Sequence, residues 1–141
     1  MKNTAHQAVK AVRCVKADAH GVGAVNGPDI DGKGFGEALF AISLDDMGAA
    51  GTATFKVQEA DPDPADDTIA GTYAGVTSAA FLAVKSAVGY FVGRVNLEAR
   101  KRFVRGVLTI AANAVDASVG ATLFPNKNLP VTQVATAEFN V

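Results

Sequence analysis

A chain of 141 residues with 13 basic and 14 acidic side chains, net charge −1, fits one ordinary domain. At this size roughly two-thirds of the unfolded surface is buried, so no disulfide or metal is needed to hold a core. Hydrophobic residues at 49% and charged residues at 19% exclude a disordered chain, and the lone Cys14 excludes an intramolecular disulfide and a multi-cysteine zinc site.

Met1–Gln7 is polar and unpatterned, which predicts a free arm. Lys2, Lys10, Arg13 and Lys16 interrupt the apolar stretch a secretory signal needs, so a soluble protein folding in a reducing cytoplasm is expected. Ala8–Lys16 predicts a first strand with imperfect alternation. His20–Gly36 contains six glycines and the Gly27-Pro28 pair, which predicts a long exposed loop without regular structure. Ala38–Leu44 is apolar at both parities and predicts a strand buried between layers. After a turn at Asp45–Gly51, Ala53–Glu59 alternates cleanly. Phe55 and Val57 face one side and Thr54, Lys56 and Gln58 the other, as in a half-exposed strand. Ala60–Asp67 is an acidic, proline-broken loop, followed by a short strand at Thr68–Tyr73.

Ser78–Val88 is ambiguous in period: Phe81, Val84 and Val88 fit helical spacing, with Thr77 or Ser78 as the cap. The longest unbroken apolar run, Ala79–Val84, falls far short of the roughly 20 residues of a membrane helix. Val88–Val92, Phe103–Ala111 and Ser118–Phe124 predict strands, Pro125–Pro130 a loop, and Val131–Val141 a strand or an extended tail. The apolar residues agree with this pattern: 18 Val against 7 Leu and 4 Ile favours strands over helices. About eight short strands with no βαβ alternation exclude a doubly wound sheet. The expected fold is all-β, a single β-sandwich domain over 8–141 of jelly-roll type, with a small closed β-barrel as the alternative. Phe40, Phe55, Val57, Val104 and Leu108 are assigned to its core.

Chemistry-bearing motifs are sparse. Cys14 and His20 lie six residues apart, but no third group orients them as a nucleophile and base. His6 lies in the polar arm. Asp29-Ile30-Asp31-Gly32 begins like a calcium loop and fails at Lys33 and Phe40, where Asp or Asn and Glu are required. The acidic run Glu59, Asp61, Asp63, Asp66, Asp67 reads as a solvated loop. The glycine-rich stretch holds no phosphate-loop string. No catalytic, cofactor-binding or metal-binding residue is assigned, and no small-molecule substrate is expected.

Charge is more informative. Residues 1–70 carry 11 acidic and 6 basic side chains, and residues 71–141 carry 3 and 7. Such a polarity suits contact between opposite-sign patches of copies or partners. Arg94, Arg100, Lys101, Arg102 and Arg105 fall within twelve residues. Only Phe103 is interleaved with them, too few aromatics for a nucleic-acid stacking face. Ion pairs across a protein interface, or to the acidic 59–67 loop, are the better use of these guanidiniums.

Five segments in order carry a resemblance. They are Gln7-Ala8-Val9-Lys10-Ala11; Gly34-Phe35 before Ala38–Ile42; Phe55-Lys56-Val57-Gln58-Glu59-Ala60-Asp61; Val88-Gly89-Tyr90; and Arg100-Lys101-Arg102-Phe103-Val104-Arg105. Together they resemble the capsid cement, or head decoration, proteins of tailed bacteriophages, with those of Bordetella podoviruses the nearest likeness. The pattern departs at Phe91–Ala99, which separates the Gly-Tyr segment from the Arg-rich strand.

The resemblance implies a jelly-roll homodimer on the outer surface of the virion, present in the host cytoplasm during assembly. It clamps neighbouring subunits of the major capsid protein and performs no catalysis. The expected contact residues are Lys2, His6 and Gln7 in the arm, Asp29, Asp31, Lys33 and Phe35 in the glycine-rich segment, and Arg100, Arg102 and Arg105. The rival readings are a tail or head–tail connector component, a nucleic-acid-binding β-barrel using 94–105, and a thiol enzyme centred on Cys14.

Overall fold

The computed structural model describes residues 9–48, 50–85, 88–125 and 137–140. Ten strands are found among them. They are β1 (Lys10–His20), β2 (Gly23–Asn26), β3 (Ile30–Asp31), β4 (Glu37–Leu44), β5 (Thr52–Ala60), β6 (Ala74–Lys85), β7 (Gly89–Asn96), β8 (Phe103–Ala111), β9 (Val115–Phe124) and β10 (Ala137–Asn140). One sheet has the order β1-β9-β4-β7-β10. The other has the order β2-β8-β5-β6, with β3 also on β8. Every pairing is antiparallel except β10 with β7.

The pairing has a simple logic. The chain folds back on itself around the β5–β6 connection, giving the pairs β5·β6, β4·β7, β2/β3·β8 and β1·β9. Successive pairs fall in alternate sheets. A long antiparallel ribbon wound in this way is a jelly roll. The two sheets form an open β-sandwich, and the closed barrel is ruled out.

Side-chain alternation sets the sandwich interior. In β5, Ala53, Phe55 and Val57 are buried while Lys56 is exposed. In β9, Val115, Ala117, Val119, Ala121 and Leu123 point inward. In β4, Ala38, Phe40, Ile42 and Leu44 are fully buried, whereas Leu39, Ala41 and Ser43 are half-buried. So β4 covers the core with one face, and its other face looks outward, contrary to the expectation of burial on both. Phe40 and Phe55 meet between the sheets, ring centroids 5.5 Å apart at 53°. A tilted aromatic pair of this kind adds about 0.5–1.5 kcal/mol beyond area burial. All five residues assigned to the core from sequence are buried there.

Three sequence expectations change. The glycine-rich His20–Gly36 segment is not a structureless loop: β2 and β3 both pair with β8. Asn26 lies opposite Val107 and Ile30 opposite Val104, so three residues, Gly27, Pro28 and Asp29, face two. This is a bulge, the place where a sheet tolerates proline. Gly27 is required there because a Cβ would sit 3.0 Å from the Gly106 carbonyl oxygen and 3.3 Å from Cys14 Cβ.

Second, the helical spacing of Ser78–Val88 is not realised. β6 runs as a strand through Lys85, with three register shifts against β5. Third, Thr68–Tyr73 forms no strand, only an isolated bridge between Pro62 and Ala70.

The first strand continues past Lys16 to His20, and bulges in its pairing with β9 explain its imperfect alternation, with the neighbours Cys14 and Val15 both buried. Phe91–Ala99 resolves as the rest of β7 and one 3-10 turn, Leu97–Ala99, capped by the Asn96 side chain accepting from the Glu98 N–H. Ser118–Phe124 starts earlier, at Val115, and of Val131–Val141 the described part, 137–140, is β10. The arm 1–7 and most of the predicted Pro125–Pro130 loop lie outside the described residues.

Candidate partner-binding surface

The bulged β3 and the first residues of β8 bring the glycine-rich and arginine-rich segments side by side. Asp31 lies opposite Phe103, and the Gly32 N–H donates to the Arg102 carbonyl at 2.8 Å. The Arg102 guanidinium then reaches Asp31 with Nε to Oδ1 at 3.1 Å and Nη2 to Oδ2 at 2.9 Å. Planar, two-point pairing of this type is the strong form of an ion pair. The hydrogen bond from Arg102 holds the Asp31 carboxyl below its ordinary range, against a smaller opposing effect of burial. Arg102 also lies 5.0 Å from the Phe103 ring centroid and 3.8 Å from Asp67.

A second cluster is built around Tyr73. Its hydroxyl donates to Asp29 at 2.7 Å, and the Arg105 guanidinium stacks 4.1 Å from its ring centroid. Arg105 Nε donates to Gln58 Oε1 at 2.9 Å. Burial first, and then the hydrogen bond to Asp29, push the phenol above its ordinary range, so Tyr73 is neutral at any physiological pH. Asp29 in the bulge, Arg105 on β8 and Gln58 on β5 are thereby linked through a residue just ahead of β6.

The remaining cations bind the acidic segment. Lys101 pairs with Asp61 through its ammonium and with Glu59 through its backbone N–H, while Arg100 lies 3.8 Å from Glu59. Four of the five ion pairs among the described residues join an acid of the first half to a base of the second. The acidic first half and the basic second half thus meet within the fold, through Arg100, Lys101 and Arg102.

Lys33 stands at the tip of a turn closed by the Phe35 N–H on the Gly32 carbonyl at 3.0 Å, with Gly34 at φ 85°. That positive φ at the third position is the backbone state glycine supplies without strain. Phe35 packs against the hydrophobic core, so its ring anchors the turn. Of the sequence-derived contact residues, Asp29, Asp31, Lys33, Arg100, Arg102 and Arg105 thus gather at one end of β3 and β8. Lys2, His6 and Gln7 lie outside the described residues. Sequence reasoning missed Tyr73, Gln58 and Lys101 as members of this surface. The acid-then-base charge order was the signal for Lys101; Tyr73 and Gln58 had none.

Cys14 and His20 do not form a pair. The Cys14 sulfur is buried, 3.9 Å from the Val12 carbonyl, and burial pushes its thiol up to about 12. His20 Nε2 lies 2.8 Å from the Lys16 carbonyl. Among the described residues no group of three or more His, Cys, Asp or Glu is placed to hold a metal ion, and no helix is long and apolar enough to cross a membrane. No protein-family model matches the chain, and no curated protein matches it.

Proposed function

We propose that this protein is a non-enzymatic cement protein of a tailed-bacteriophage head, acting as a homodimer on the outside of the shell and fastening neighbouring major capsid subunits. One observation carries the reading. Within the described residues, the segments that in their order resemble head decoration proteins fall on a jelly-roll sandwich, an architecture that recurs in viral shells. Fold analogy alone does not assign a function, so the weight rests on fold and motif order together. A rigid sandwich with charged turns at one end suits a protein that works by burying surface present only in the assembled shell. Its binding free energy adds to shell stability by linkage.

The test is to mix the purified protein with expanded, DNA-filled heads lacking it, and to measure co-sedimentation and the temperature of DNA release. Saturable binding with a raised release temperature supports the reading. Absence of binding at low and physiological salt overturns it. Light scattering separates the nearest rival, because a ring-shaped oligomer in place of a dimer favours a tail or connector role.

A further inference from the structure

Where the Gly32–Phe35 turn meets the 3-10 turn, a depression of about 370 Å³ is lined by Gly32, Lys33, Leu97, Arg100, Lys101 and Arg102. The lining contains four cations and no acid. Two of the cations are committed elsewhere, Lys101 to Asp61 and Arg102 to Asp31 and Asp67. The other two are held less tightly: among the described residues Arg100 has only its long ion pair to Glu59, and Lys33 has none. The Arg100 guanidinium makes no hydrogen bond among them. The nearest acid to Arg100 is Glu59 at 3.8 Å, beyond hydrogen-bond reach, and the Arg100 Nε–H is buried without an acceptor. A buried donor left unsatisfied is costly, and proteins keep few of them.

We propose that this depression is a receptor for one carboxylate, the acidic side chain of a protein partner, with the accessible end of the Arg100 guanidinium as the donor and Lys33 as the second charge. The guanidinium edge matches the two oxygens of a planar carboxylate. Lys33, exposed at the turn tip, is a flexible point charge that closes over the bound group. A nucleic-acid backbone fits poorly. Asp61 and Asp67, with side chains 69% and 80% exposed beside the same cations, repel a run of phosphates but leave room for a single charge. That the carboxylate belongs to a shell protein rests on the cement reading; the receptor chemistry does not.

The experiment uses the full chain and N-acetyl-glutamate amide as the probe, followed through the Arg100 Nε–H and Lys33 ammonium NMR signals. The expected result is a saturable shift of both signals with a millimolar dissociation constant, and none with N-acetyl-glutamine amide. Arg100→Gln removes the response. Lys33→Gln weakens it by about tenfold, equivalent to one charge-assisted contact. Because Lys33 is exposed, its variant keeps the test valid even where Arg100→Gln fails to fold. The proposal is overturned by an absent shift, by an equal response to the glutamine probe, or by undiminished affinity in Lys33→Gln. It is overturned equally if inorganic phosphate and a DNA duplex displace the probe at lower concentration, which reassigns the site to phosphate. The measurement needs no capsid, so failure of head binding leaves its outcome intact.

Discussion

Arg102 grips Asp31 through two parallel hydrogen bonds across 71 residues of sequence, tying the short β3 to the start of β8. Asn at position 31 keeps an oxygen for the Lys33 N–H, which donates to Asp31 Oδ1 at 2.9 Å, but removes the charge. Asp31 is held below its ordinary value of 3.8 in the folded state. Its stabilisation is therefore complete above that value and is lost as the pH falls through the lowered one. Asp31→Asn is expected to cost about 1 kcal/mol at pH 7 in urea unfolding, the upper range for a partly exposed pair. The difference from the parent should shrink toward zero in the acid limb. A penalty independent of pH would assign the loss to packing instead of charge.

Gly106, in the middle of β8, lies under the aromatic pair at the centre of the sandwich. A Cβ built there would sit 2.7 Å from Phe55 Cζ and 3.4 Å from Phe40 Cε1. Phe55 is fully buried, so its ring has little room to yield. Gly106→Ala is expected to destabilise by about 1–3 kcal/mol, the usual cost of overpacking. Shortening the ring in the double variant Gly106→Ala/Phe55→Leu should recover part of it, so that the two effects are non-additive. Strictly additive losses in chemical denaturation would show that the glycine is not there for the ring.

These two sites show how far the sequence could be read. β5 and β9 were legible because each alternates apolar with polar or small side chains and burial follows that alternation along most of the strand, and β8 because its apolar Phe103, Val104, Val107, Leu108 and Ile110, all buried, mark a strand without strict alternation. β2 and β3 were not, because the signal that marks a loop, glycine beside proline, here marks a bulge whose backbone packs against Gly106 and Cys14. β6 was misleading because its three register shifts against β5 break the two-residue period. For the surface, the sequence offered an acidic half and a basic half but not the partners. Which acid meets which arginine depends on β3 and β8 being neighbours, a property of the topology. Tyr73 carried no local pattern, and its role arises only where Asp29 and Arg105 converge on it.

Tyr73 is the piece that fastens the acidic segment to the sandwich. Its ring lies under Arg105 and its hydroxyl on Asp29, while the segment before it is held by the Gly71 N–H on the Asp61 carbonyl at 2.8 Å. Tyr73→Phe keeps the stacking and loses the hydrogen bond, with an expected cost of about 0.5–1.5 kcal/mol. Tyr73→Ala loses both and should open the 61–72 stretch locally, well before global unfolding. Limited proteolysis reads this directly: cleavage within that stretch is expected to be faster in Tyr73→Ala than in Tyr73→Phe, and slowest in the parent. Equal cleavage in all three would mean that the ion pairs of Lys101 and Arg102 hold the segment by themselves.

Cys14 provides the sharpest check on the thiol-enzyme alternative. It is 6% exposed, and its thiol, raised to about 12 by burial, presents on the order of one thiolate in ten thousand at pH 8. Reaction with an aromatic disulfide at pH 8 should therefore be slow in the native protein and prompt in denaturant, with a native rate that tracks local opening. Cys14→Ala removes the contacts of one buried sulfur at a cost of about 1 kcal/mol and is expected to leave the proposed binding to heads unchanged. Rapid native labelling, or loss of head binding in a folded Cys14→Ala protein, would contradict the placement of this side chain as a small core residue beside Gly27 and restore the thiol to consideration as a working group.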